Sequence, residues 1–366
     1  MSPQVALLRL QSTPACNLNC TYCYIPETSR MRRGVMSWDV LGDCIRKLRN
    51  EELLGEGLTV SWHGAEPLMA GLDWYEQAFQ LIEDELSAST RVEHVFQTNG
   101  VLLSDDWCRF LTRTGAHIGV SLDGPETHSG SRVNWAGRPA WRQAMAGVDR
   151  LNQHGVTWSL LTVVTPETMR SPEQFVDFVL GTGCSALGFK VENTLAAHES
   201  RLESSVETLR LYRDFVKHLW TALPRDGVIR VREFDQYLAL RDTGAQAIPV
   251  TIVPLRNLTV AVNGDYTVFA PELLYRDDRA FVFGNVTDDA PLLDCLVSPL
   301  FEAVSREILA GVARCAGECD YYRRCGSYYV SHKFSETGSF DVGETAACRL
   351  ELQTLFGELD TLTGHR

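Results

Sequence analysis

The chain has no surplus of basic residues. Its 34 lysines and arginines stand against 47 aspartates and glutamates, a formal charge of −13. Phosphate backbones are gripped by basic faces, so this balance argues against nucleic acid as a partner. No stretch approaches the roughly 20 consecutive apolar residues that a membrane helix needs, so no membrane partner is expected. Met1 to Leu10 lacks the charged start and apolar run of a secretion signal, which points to the cytoplasm. There is no internal repeat and no low-complexity segment.

What is present is a chain of 366 residues, 45% hydrophobic, enough to bury a substantial core in one large domain with an appendage. It carries 11 cysteines. A reducing compartment disfavours disulfides, and clustered cysteines point instead to metal. Cys44, Cys108, Cys184 and Cys295 are scattered, and the first two fall in predicted helices, where free cysteine packs as a small hydrophobe. The other seven form two groups.

From residue 4 to about 190, strand and helix patterns alternate. Predicted strands run over Val5–Leu10, Leu58–Trp62, Val92–Gln97, His117–Leu122, Thr157–Val164 and Ala186–Val191. Between the first two, Ser37 is placed to cap an amphipathic helix with Val40, Leu41, Cys44, Ile45 and Leu48 on one face. Repeated β-α units imply a parallel sheet, and right-handed crossovers curl it toward a barrel. The expected fold class is therefore α/β, a partial (β/α)6 TIM-like barrel. In such barrels the site lies at the C-terminal strand ends. Residues 201–250 read as a charged helical connection, between a core over 1–200 and a C-terminal domain over 251–366.

The first cysteine group follows the first strand. Cys16, Cys20 and Cys23 have the spacing C-x3-C-x2-C, with Tyr22 just before the last. Three thiolates on one tight loop can hold three irons of a [4Fe–4S] cube and leave the fourth open for a substrate or cofactor. Zinc would need a fourth ligand, which the loop lacks, although His63 is not excluded by sequence. A plain electron-transfer cluster is the other bland reading. The spacing resembles the radical S-adenosylmethionine (radical SAM) superfamily, whose open iron chelates SAM and whose SAM is cleaved to a 5′-deoxyadenosyl radical.

The resemblance extends to the next strand ends. Gly64-Ala65-Glu66-Pro67 is similar to the family's GGEP motif, in which small residues let the backbone approach the ammonium of SAM. Alanine replaces the second glycine, and is expected to be tolerated where φ is negative. Ser121 and Asp123 follow the fourth strand. The resemblance places them, with Tyr22, Thr98 and Asn99, around SAM, and gives Arg132 its carboxylate. Their bland readings are a turn, an N-cap and an exposed loop arginine.

The second group is Cys315, Cys319, Cys325 and Cys348, enough thiolates to saturate one auxiliary [4Fe–4S] cluster or a structural zinc. The surrounding residues resemble the SPASM domain of peptide-modifying radical SAM enzymes, which implies a C-terminal SPASM-like Fe–S domain. A full SPASM domain holds two auxiliary clusters. Here Phe269 and Tyr329 stand where cysteines of the first are expected, and Ala270 replaces the acid that serves as base in sulfatase-maturing relatives. One auxiliary cluster is therefore expected.

His332-Lys333 and the stretch around Cys348 resemble GRRM-system maturases. The resemblance implies a ribosomal precursor peptide as substrate and a cyclophane, an aromatic side chain joined to a β-carbon, as product. Thioether crosslinking and formylglycine formation are alternatives within the class. An Fe–S carrier or redox sensor, or a zinc-stabilised peptide-binding module, are alternatives outside it. The chemistry implies a reducing partner such as flavodoxin or ferredoxin. The barrel begins near residue 4, so a leader peptide is expected to be read by the C-terminal half or by a separate leader-binding protein. Glu192 and Asp235 are candidates for the proton acceptor, although each reads more readily as an ordinary surface or ion-pair acid.

Overall fold

The computed structural model describes residues 3–86, 90–223, 227–244, 246–248, 252–276 and 279–365. The expected boundary at 250/251 falls outside the described residues. Six strands appear where the alternation places them: β1 (Val5–Leu10), β2 (Leu54–Trp62), β3 (Arg91–Thr98), β4 (His117–Ser121), β5 (Trp158–Val164) and β6 (Ala186–Val191). Each pairs parallel with the next.

The sheet does not stop at six. It continues through β7 (Arg230–Val231), parallel to β6, and on its other edge through β8 (Asn257–Val260), β9 (Asp265–Thr267) and β10 (Gly284–Asn285). β8 lies parallel to β1, with Leu7 opposite Asn257 and Leu10 opposite Val260. β8, β9 and β10 then pair antiparallel. Strands of two to four residues are too short for periodicity to reveal, and the β1–β8 pairing joins positions some 250 residues apart. The charged stretch after residue 200 is likewise more than a connection: helices Val206–Ala222 and Arg232–Thr243 flank β7.

The helix Trp38–Asn50 begins as read, with Ser37 Oγ accepting the Val40 N–H at 3.3 Å. Its apolar face, Val40, Leu41, Cys44, Ile45 and Leu48, is buried against the sheet. Cys108, Cys184 and Cys295 are also buried. Helix Trp141–Gln153 sits so close to the turn after β3 that a Cβ on Gly147 would lie 2.1 Å from the Gly100 carbonyl oxygen. Only glycine permits that approach, which fixes the backbone of Asn99 at the strand end.

In the C-terminal half, helix Pro299–Glu318 carries Cys315 and ends at Cys319. Phe269, at the position expected for a cluster cysteine, is buried between Phe301 and Phe283, each with its ring centroid 5.5 Å away. An aromatic stack fills that place. Among the described residues no helix is long and apolar enough to cross a membrane.

Candidate active site

The cysteine loop is held from three sides. Asn19 and Thr21 donate backbone N–H bonds to Val133 (2.7 Å) and Ser131 (2.9 Å). Glu66 donates its N–H to Ala15, and Asn99 Nδ2 reaches Asn17 Oδ1 at 2.7 Å. Tyr22 Oη donates to Asp123 Oδ2 at 2.6 Å. The loop is thereby tied to the ends of β2, β3 and β4.

Cys16, Cys20 and Cys23 line one cavity of about 400 Å³ at the C-terminal strand ends. Burial pushes the Cys20 thiol up to about 11 and raises Cys16 and Cys23 as well. Buried thiolates are disfavoured without a cation beside them, so metal binding at this loop releases protons. Cys315, Cys319, Cys325 and Cys348 meet around a second, much smaller cavity. Lys333 Nζ and Ser327 Oγ lie 3.4 and 3.3 Å from Cys315 Sγ, and the Thr345 N–H lies 3.2 Å from Cys348 Sγ. Such donors stabilise negative charge on cluster sulfurs. Among the described residues no three His, Cys, Asp or Glu side chains converge tightly enough for a single ion. Three thiols on one cavity and four on the other are the donor numbers that a cube with one open iron and a saturated cube require, so the donor sets fit iron–sulfur clusters.

The remaining sequence candidates fall into two kinds. Gly64, Ala65, Thr98, Asn99, Ser121, Tyr22 and Arg132 line the first cavity. Glu66 and Asp123 lie beneath its wall and are fully buried. The Glu66 carboxylate accepts from Thr98 Oγ1 (2.7 Å), the Asn99 N–H (2.8 Å) and the Leu68 N–H (3.0 Å), a strut between β2 and β3. Burial nonetheless pushes it up to about 7. Asp123 accepts from Tyr22, from the Val163 N–H (3.2 Å) and from Arg132 (3.1 Å). Arg132 is thus committed to Asp123, which, with Tyr22, keeps it charged despite its burial.

Ala65 departs from expectation. Its φ is +58°, the left-handed region that favours glycine, so the alanine carries backbone strain. Ala65→Gly should raise stability by about 1 kcal/mol, read as an increase in Tm. An unchanged or lower Tm would show the strain is relieved elsewhere.

The two acids singled out from sequence lie in different places. Glu192 lines the cavity just after β6, held by His198 (3.2 Å) and Arg201 (2.9 Å). Burial opposes its charge, but these hydrogen bonds win and hold it at about 2. Asp235 lies outside the cavity, paired with Arg230 at 2.8 Å.

Sequence reasoning missed the part of the cavity's lining that comes from the C-terminal half. Glu272, Tyr329, Ser331 and His332 form it, beside Lys190 at the end of β6. Burial raises the Glu272 carboxyl above its ordinary value, against the pull of Arg9, Ser331 and Lys190. A signal existed: Glu272 is the first acid after Ala270, two positions on. His332 Nδ1 and Tyr24 Oη are buried there with no hydrogen-bond partner among the described residues. Buried polar groups seldom stay unpaired, so these are available to a ligand. His63 also lines the cavity, held neutral by burial and by Arg9, which lower it to about 4.

Comparison with known proteins agrees with this geometry. The family model described as the radical SAM superfamily matches residues 10–179. An uncharacterized protein of Synechocystis sp. is 31% identical over 363 residues, covering 95% of this chain and 89% of that protein. The serine-type anaerobic sulfatase-maturating enzyme of Bacteroides thetaiotaomicron is 33% identical over 193 residues, 51% of this chain and only 46% of that enzyme. Among solved structures, anSMEcpe with bound AdoMet and Cp18Cys peptide superposes with a TM-score of 0.80 over the full length of both chains, at 20% identity. Streptococcus suis SuiB bound to precursor peptide SuiA gives 0.65 at 15% identity, over 95% of this chain and 76% of that one.

Proposed function

This chain belongs to the radical SAM superfamily, and from that premise we propose that it modifies a ribosomal precursor peptide, crosslinking an aromatic side chain to a β-carbon. When bound, the cluster and SAM supply a 5′-deoxyadenosyl radical. The protein's own residues do the rest. Tyr22, Asp123 and Arg132 hold the cysteine loop in register with the strand ends, and Gly64 and Ala65 offer backbone to the cofactor. The polar lining from the C-terminal half receives the peptide.

One observation carries this reading: the cavity that the three cysteines line is also lined by polar residues of the C-terminal half, Glu272, Tyr329, Ser331 and His332. A simple electron carrier has no use for such a lining. The relatives named for sulfatase maturation support a second reading, oxidation of a serine or cysteine to formylglycine.

The test is anaerobic reconstitution. Iron at about eight per chain, with dithionite-dependent 5′-deoxyadenosine formation, is expected of two cubes and radical chemistry. Incubation with a precursor peptide encoded beside this chain's gene should then remove two hydrogens from the peptide and leave it inert to hydrazide. Hydrazide capture would favour formylglycine. Zinc in place of iron, or iron without SAM cleavage, would sink both readings.

Glu272 is our candidate for the proton acceptor. It must be ionised to accept a proton, and burial holds its carboxyl protonated to a higher pH than a surface glutamate. Peptide product per deoxyadenosine should therefore rise with pH through that raised value. Glu272→Gln should lower the ratio about 100-fold and flatten the rise. A ratio matching the parent's would assign the proton to another group.

A further inference from the structure

The cysteine loop has an outer side as well as a cavity side. Two segments clamp it there. Arg30 accepts the Cys16 N–H at 3.1 Å, and Trp135 Nε1 donates to the Cys16 carbonyl at 2.8 Å. The Arg30 guanidinium stands 5.5 Å above the Trp135 ring and bonds inward to the Ile25 and Leu18 carbonyls. The two segments therefore meet over Cys16, and what they expose lies beside the cluster loop.

That surface combines exposed apolar side chains with arginines that have no carboxylate beside them. Residues 31–35 are all exposed, including Met31 at 66% and Val35 at 44%, and Trp135 is 40% exposed. Arg32, Arg33 and Arg138 are exposed and form no ion pair among the described residues. Exposed arginines elsewhere are of both kinds: Arg142, Arg210, Arg314 and Arg349 sit on neighbouring carboxylates, whereas Arg170, Arg213, Arg306 and Arg323 form no ion pair among the described residues but do not lie beside the cysteine loop in sequence or contact. Glu27, the acid beside this face, is engaged by Asn19 Nδ2 at 2.7 Å. In a chain of net charge −13, free cations around an exposed tryptophan make a local basic and apolar patch.

We propose that this patch, Met31, Arg32, Arg33, Val35, Trp135 and Arg138, is the docking face for an acidic one-electron donor protein. The proposal rests on the radical SAM reading, which requires one electron per SAM cleaved. Electron transfer falls steeply with distance, so the donor must dock where the cluster loop is closest to solvent. The cavity side is taken by cofactor and peptide. The patch's charge opposes that of the chain as a whole, so it selects and orients an acidic partner that the remaining surface repels. For a flavoprotein donor, the anionic hydroquinone becomes the neutral semiquinone and gives up one electron. This chain's cluster gains it, and no proton or heavy atom crosses the interface.

The experiment compares two reductants on the reconstituted holoenzyme. Reduced flavodoxin is the probe, and dithionite, which needs no docking face, is the control. Stopped-flow absorbance follows semiquinone appearance, and deoxyadenosine is counted in parallel. In the unaltered protein the flavodoxin rate should fall several-fold between about 50 and about 300 mM salt. The double variant Arg32→Glu/Arg33→Glu should lose about ten-fold or more of the flavodoxin rate and most of its salt dependence, with the dithionite rate within about two-fold. Arg32→Lys/Arg33→Lys should recover most of the loss. Equal flavodoxin rates in the charge-reversed and unaltered proteins would overturn the proposal. So would equal losses with both reductants, which would make the face structural, or a loss confined to peptide binding, which would make it a peptide site. Failure of dithionite to cleave SAM in the unaltered protein would instead refute the underlying enzyme reading.

Discussion

Cys20→Ala is expected to lower dithionite-dependent deoxyadenosine formation by roughly 1,000-fold or more, to the level of the uncatalysed background. Cys20 is the middle ligand of the first group, and its thiol shares the cavity with Cys16 and Cys23. Two thiolates cannot hold a cube that leaves one iron open. Bound iron should fall from about eight to about four per chain, the remainder belonging to Cys315, Cys319, Cys325 and Cys348. The thiol's burial makes the effect specific. A group pushed up to about 11 by its surroundings is a poor free thiolate and ionises for a metal. The same substitution at Cys44, buried in the core and remote from both groups, should leave iron and activity in place. Iron content is the decisive reading, because it separates loss of the cluster from loss of chemistry. Full iron in Cys20→Ala would remove this residue from the ligand set.

Asp123→Ala should cost about 3–5 kcal/mol of stability, measured by denaturant unfolding. The resemblance suggested that Asp123 and Arg132 each address SAM. In the structure they address each other, at 3.1 Å, with Asp123 fully buried and the Arg132 side chain only 11% exposed. Removing the carboxylate strands a buried guanidinium and takes from Tyr22 its hydrogen-bond partner. Tyr22 sits between Cys20 and Cys23, so the damage reaches the cluster loop directly. Removing both charges is the control. Asp123→Ala/Arg132→Met should recover a large part of the loss, since breaking a buried pair costs more than replacing it. If Asp123→Ala costs under about 1 kcal/mol, water reaches the pair and the network is not what holds the loop.

Much of the site was legible because its elements are local. A C-x3-C-x2-C loop places three thiols within reach of one another whatever surrounds it. Alternating apolar patterns located the strands, and a parallel sheet puts all their C-terminal ends on one side. The convergence of Cys16, Gly64, Thr98 and Ser121 therefore followed from order along the chain. The same logic does not say which partner a buried side chain takes. Glu66 matches a cofactor motif, yet its three hydrogen bonds go to Thr98, Asn99 and Leu68. Glu192 stands at a strand end and pairs with His198 and Arg201, in keeping with its reading as an ion-pair acid.

By itself, then, the amino-acid order determined the two groups of thiols, the strand-and-helix alternation and the side of the sheet on which the candidate site lies. These depend on spacing over a few residues or on a repeat of period two, and neither needs the distant chain. Tertiary structure alone decided that β8 closes against β1, that aromatic rings stack at Phe269, and that Glu272 and Tyr329 share a cavity with the cysteines. It also decided that Ala65 sits at positive φ. Each of these depends on which surfaces meet after hundreds of intervening residues have folded. Burial then selects the partner of every charged or polar group, and a linear pattern does not encode that choice.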